Sequence, residues 1–128
     1  MKALTVCQPY AELIARGQKR IENRTWRTQY SGSLLIHAGL SRSWLRPGDA
    51  EKFPGMAFGA IIAEVLLRGW APIGHLPAAW QDDPYASGPY CWLLSGVRRF
   101  AKPIPCRGAQ RLWIPSDDVM EAVWRQSK

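Results

Sequence analysis

Residues 17–26 read Gly-Gln-Lys-Arg-Ile-Glu-Asn-Arg-Thr-Trp, the densest group of chemically able side chains in this sequence. Lys19, Glu22, Arg24 and Trp26 fall within eight positions. Two cations beside one carboxylate suit an anionic ligand such as a phosphodiester. A guanidinium forks onto phosphate and an ammonium acts as a point charge. An indole next to them can stack on a base. The same residues also fit a solvated turn entering a strand, with Glu22 and Arg24 as an ordinary surface ion pair.

Several elements must position this segment. Residues 3–7 read as a short strand. Pro9 suits the first turn of a helix, where its missing N–H costs nothing. Tyr10, Leu13 and Ile14 repeat at helical spacing, and Gly17 stands where a C-terminal cap belongs. Residues 20–26 look extended, which puts Glu22, Arg24 and Trp26 on one face at a period of two. Lys19 lies in the turn. A strand is expected at 32–38, a polar irregular stretch with one helical turn at 42–54, and a central strand at 60–67. Residues 70–88 carry three prolines and two glycines and read as a long loop, with helical turns near 75–81. Residues 90–100 form another strand, ended by a Pro103-Ile104-Pro105 turn, and 110–114 a short last one. Ser116 should cap a helix over 117–126. Five to six strands in this order, with short inserted helices and a C-terminal helix, predict an α+β, mainly β fold. Its sheet is mixed or antiparallel and curls into a small barrel.

The chain has 128 residues, which suits one domain spanning 1–128. Its net charge is +7 and its pI about 9.8, so polyanions are the expected partners and nucleic acid leads. No stretch approaches the roughly 20 apolar residues that span a bilayer, so no membrane partner is expected. The N-terminus reaches Gln8-Pro9 before any long apolar run, unlike a secretory signal. Cys7, Cys91 and Cys106 are widely spaced and without a C-x-x-C pair. Neither a zinc site nor a disulfide framework is expected, and a reducing cytoplasm fits. No nucleotide-cofactor glycine motif is present.

The run Gln8-Pro9-Tyr10-Ala11, followed by residues 13–26, resembles the signature of the ASCH domain family. Residues 32–38, 90–94 and 108–113 resemble its later strands. The likeness extends over nearly the whole chain. It implies the PUA-like β-barrel fold and a cleft lined by the Gly-x-Lys-x-x-Glu-x-Arg segment, with RNA or a nucleoside as ligand. One branch of the wider family is an amidohydrolase acting on acetylated cytidine, which implies a nucleophile or proton-shuttle role for Lys19. That branch has threonine where this chain has Glu22, and its further glutamate falls where this chain has Asp82 and Asp83. Other members resemble ribonucleases, for which Lys19, Glu22 and Arg24 would be the catalytic group. No cofactor is implied; a divalent metal enters only if the cleft cuts RNA. No obligate protein partner is evident.

Gln8, Trp26 and His37 are further ligand-binding candidates beside the segment. His37 ends a strand and is more often structural there than a base. Glu64, inside an apolar run, reads as an edge-facing or ion-paired residue. Arg98, Arg99, Lys102, Arg107 and Arg111 form a basic string with Trp92 and Trp113 interleaved. It is either a solvated face or a groove that tracks a strand and stacks its bases, with Arg111 a contact. Trp44, Trp70, Trp80 and Trp124 are expected to serve packing. The function expected is RNA or modified-nucleoside binding, with hydrolysis in the same cleft as the alternative.

Overall fold

A computed structural model of the protein describes residues 1–126. Its elements run β1 (Lys2–Val6), α1 (Tyr10–Ala15), β2 (Ile21–Arg24), β3 (Gly32–Ala38), α2 (Asp49–Lys52), β4 (Ala60–Pro72), β5 (Tyr90–Pro105), β6 (Leu112–Trp113) and α3 (Asp117–Gln126). Two 3-10 turns, Ile73–His75 and Ala78–Trp80, lie between β4 and β5. The six strands make one mixed sheet in the order β2-β5-β4-β3-β1-β6, curled as a half-barrel. Among the described residues only β1 and β3 pair in parallel; every other pairing is antiparallel.

Strand parity divides the core in two. Leu4, Val6, Leu34 and Ile36 face Ala11, Ile14 and Ala15 of α1. Ala3 and Leu35, of opposite parity, face Met120 and Val123 of α3. Each side chain here is nearly or wholly removed from water, and such burial contributes about 1.5–3 kcal/mol for a large aliphatic group. The helix α1 ends as its sequence dictates. Gly17 takes a φ of 75°, and the N–H groups of Gly17 and Gln18 bond back to the carbonyls of Ile14 and Leu13. This reversal delivers Lys19 to the start of β2. Ser116 begins α3, its Oγ accepting the Val119 N–H at 3.3 Å.

Two elements differ from the sequence expectation. The strand β4 continues past residue 67 through Pro72, with Trp70, Ala71 and Pro72 opposite Trp92, Cys91 and Tyr90. A register shift between Leu67 and Trp70 lets the strand bend and go on. The strand β5 likewise runs through Pro103-Ile104-Pro105, with no turn there. These prolines are tolerated because β2 covers only residues 90–93 of β5, so the later half has an edge that no described strand pairs with and that needs no continuous row of N–H groups.

Candidate functional site

Lys19, Glu22 and Arg24 meet at the end of the half-barrel. Lys19 Nζ donates to Glu22 Oε1 at 3.0 Å and to the Ile21 carbonyl. Arg24 Nη2 lies 2.8 Å from Glu22 Oε2 and donates to the Thr5 carbonyl at 3.0 Å. One carboxylate is thus held between two cations, leaving the group with one net positive charge. Lys19 is only 4% exposed and Glu22 8%. A carboxylate and an ammonium this deep hold their geometry because each satisfies the other. Arg24 Nε is buried with no hydrogen-bond partner among the described residues, a cost more often tolerated at functional sites than elsewhere.

A cleft of about 350 Å³ opens over this group. Its walls are Cys7, Tyr10, Asn23, Trp44, Tyr85 and Ser87, around Lys19 and Glu22. Trp44 stands 58% exposed, edge-on to Tyr10 at 6.2 Å between ring centroids. The Tyr10 ring also lies 5.9 Å from Lys19 Nζ. Asn23 fixes the opposite wall: its Nδ2 donates to the Tyr85 carbonyl at 2.8 Å, and its Oδ1 accepts the Ser87 and Gly88 N–H groups. Asp83 anchors the same loop, its carboxylate accepting the backbone N–H groups of Arg20 and Tyr85. Burial raises the Cys7 thiol pKa and the Glu22 charge adds to that, outweighing Arg24 and Lys19. The thiol is therefore a neutral part of the wall.

The other residues singled out from the sequence lie elsewhere. Gln8 is wholly buried, its Nε2 donating to the Ala57 carbonyl at 2.8 Å and its Oε1 accepting the Glu12 N–H at 2.8 Å. It satisfies a first-turn donor of α1, and its burial keeps it from a ligand. His37 is 2% exposed. Its Nε2 donates to the Cys106 carbonyl at 2.9 Å, which makes Nδ1 the acceptor from Thr5 Oγ1 at 3.1 Å. Trp113 Nε1 donates to the same hydroxyl. Burial lowers the His37 pKa, the Cys106 bond opposing this in part, and the neutral ring completes a closed network.

Trp26 lies past the end of β2, edge-on to the buried Trp92 at 4.7 Å, with the Arg111 guanidinium 4.8 Å from its ring. Trp92 itself is fully buried, so it offers no stacking face. The basic string divides. Arg98 pairs with Glu64 at 2.5 Å, as expected for a carboxylate on this strand. Arg99 forks onto Glu12 at 2.6 and 3.0 Å. Glu12, joined also by Arg16, ties α1 to β5; burial would raise its pKa, but the two arginines outweigh that and lower it.

The sequence reading missed Trp44, Tyr10, Asn23 and Tyr85 as cleft residues. A tryptophan alone in the polar stretch 41–49 was the available signal. The others come from the start of α1, from β2 and from the turn before β5, and no periodicity records their meeting.

Residues 4–76, more than half of the chain, match the model of the ASCH domain. The chain belongs to the ASCH domain family. This is a family of PUA-like fold generally linked to RNA binding. The structure is similar to that of ASCH from Zymomonas mobilis, with a TM-score of 0.59 and 13% identity over 97% of this chain and 93% of that one. It is also similar to two single-residue variants of that Zymomonas protein, one with a tyrosine replaced by phenylalanine and one with a serine replaced by alanine. Their TM-scores are 0.59 and 0.56 and their identities 13% and 14%. Each match covers 97% of this chain, and 96% and 94% of the variants' own chains. At such identities the likeness carries the fold alone. No curated protein matches the chain. Among the described residues no helix is long and apolar enough to cross a membrane, and no cluster of three or more metal-ligating side chains occurs.

Proposed function

We propose that this ASCH domain binds RNA, or a modified nucleoside within it, in the cleft above Lys19, Glu22 and Arg24. The observation that carries this reading is the cleft's composition. An exposed indole and two phenol rings stand over a buried carboxylate clamped by two cations, at a volume of about 350 Å³. The aromatic wall supplies a stacking face for a base, and the Glu22 carboxylate supplies a polar edge. Arg24, with the net charge of +7, supplies attraction to phosphate.

Salt dependence tests it. For about five contacted phosphates, affinity for single-stranded RNA should fall by roughly 10²-fold between about 50 and 200 mM salt. Undetectable binding at the lower salt would remove the reading.

The contact of Lys19 Nζ with Glu22 Oε1 favours a second reading, hydrolysis in the same cleft. Glu22 would be the general base on RNA, with Lys19 and Arg24 stabilising developing negative charge; acetylated cytidine would instead engage Lys19. Glu22→Gln should then lower turnover by at least about 10²-fold, with RNA affinity equal or higher. Equal rates for wild type and Glu22→Gln on RNA, and for wild type and Lys19→Met on acetylated cytidine, leave binding alone.

A further inference from the structure

A second cleft, of about 840 Å³, lies where the segment after β5 passes β1 and β3. It is walled by Thr5, Leu40, Phe58, Arg107, Gly108 and Gln110, with His37 in its floor. No aspartate or glutamate lines it among the described residues. Arg107 is exposed within it. Arg42 sits over the Phe58 ring at 3.9 Å, presenting a cation on an aromatic face.

The segment after β5 is shaped to make this wall. A β-carbon on Gly108 would stand 2.5 Å from Thr5 Oγ1 and 2.7 Å from His37 Cε1, so only glycine lets the backbone lie against the sheet there. Arg111 holds a φ of 59°, a left-handed conformation that costs a residue with a side chain free energy. The same turn sets its guanidinium over Trp26.

The two clefts adjoin. A single nitrogen, Arg24 Nη2, contacts both Glu22 Oε2 of the first cleft, at 2.8 Å, and the carbonyl of Thr5, a wall residue of the second, at 3.0 Å. Those two oxygens are therefore no more than about 5.8 Å apart. Both clefts have an aromatic wall and a cation, and the positive charge of Arg24 beside their shared seam favours a phosphate crossing it. A lone nucleoside would fill the first cleft and leave the second, with its wall closely fitted at Gly108, unused.

We propose that the second cleft receives the nucleotide adjoining the one in the Trp44 cleft, so that the ligand is a single strand of RNA of at least two nucleotides. This rests on the RNA-binding reading above and adds the ligand's length and path. Sequence preference there should be slight, because the wall offers a stacking face and charge more than base-edge hydrogen bonds.

The test titrates oligouridylates of one to six nucleotides into the wild type, Arg107→Glu, Arg125→Glu and Trp44→Ala. Arg125 lies far along α3 in an ion pair with Glu121 and controls for the change in net charge. Wild-type affinity should rise at least about tenfold from one nucleotide to three. Arg107→Glu should erase that rise while leaving the mononucleotide's affinity near wild type, and Arg125→Glu should keep most of the rise. A mononucleotide that binds as well as the longer strands overturns the proposal. So does equal weakening by Arg107→Glu and Arg125→Glu, which would mean only a general field. If Trp44→Ala leaves all binding intact, the first-cleft reading fails; if Trp44→Ala weakens every length but Arg107→Glu none, only the second cleft fails.

Discussion

Replacing Lys19 by methionine isolates what the buried ion pair contributes. Methionine keeps most of the apolar stem and removes the ammonium. The Ile21 carbonyl and Glu22 Oε1 then lose their donor in a place where lysine was only 4% exposed. Breaking a buried pair outright costs about 3–5 kcal/mol because a bare charge stays behind. Here Glu22 keeps Arg24 at 2.8 Å, so the loss is nearer the roughly 1.5–3 kcal/mol of a hydrogen bond to a charged group. We expect about 2 kcal/mol. For a domain of this size that lowers Tm by roughly 6–10 °C. Glu22→Gln alone should cost about 1–2 kcal/mol. The double variant should cost less than the sum of the two by about 1 kcal/mol or more, since neither partner then leaves the other unmatched. Urea unfolding of the four proteins gives the coupling. Additivity within about 0.5 kcal/mol would refute the pairing, because uncoupled sites add to that precision. A Lys19→Met cost below about 0.5 kcal/mol would place the lysine on the surface.

Glu12→Ala should destabilise the fold by about 2–3 kcal/mol, as α1 loses its fork to Arg99 and its bond to Arg16. The folded-state pKa of Glu12 is lowered, so its contribution is whole above about pH 4.3 and fades as pH falls through the folded value; the gap between wild type and variant in thermal melts should close there. Burial lowers the His37 pKa, so below about pH 6.5 the unfolded chain takes up a proton before the folded one does. Stability should therefore be full above that pH and decline as pH falls from there through the lower folded-state value. The decline should be missing from His37→Gln, and an equal pH slope in both proteins would contradict the network drawn around Thr5 and Trp113.

Much of the fold was legible because local signals agreed with it. Tyr10, Leu13 and Ile14 with Gly17 marked α1 and its end, Ser116 marked α3, and the apolar runs marked β3 and β4. The extensions of β4 and β5 were hidden by Pro72, Pro103 and Pro105. Read locally, a proline breaks a strand; on an edge that no neighbour covers, it does not. At the site, Lys19, Glu22 and Arg24 were visible as one motif because they are close in sequence. Their depth was not, since a lysine beside a turn reads as solvated until a carboxylate is known to fold over it. Gln8 was singled out by the family-like run it opens and His37 by its place at a strand end beside the charged segment. Both are buried, and their Ala57, Thr5 and Cys106 partners lie 32 to 69 positions away, beyond the reach of any local pattern. Trp44 and Trp26 exchanged their expected places: nearness in sequence to the charged segment favoured Trp26, whereas the chain's path brings Trp44 to the cleft.

Trp44 therefore offers the most direct measurement. It is 58% exposed and its ring contact is with Tyr10 at the cleft mouth, so Trp44→Ala should change stability little. A base stacked on it contributes about 1–3 kcal/mol, or roughly 5- to 150-fold in affinity. Single-stranded RNA titrated into wild type and Trp44→Ala at one low salt concentration should show a loss within that range at an unchanged Tm. Equal affinity of the two proteins would contradict the assignment of this cleft as the RNA site.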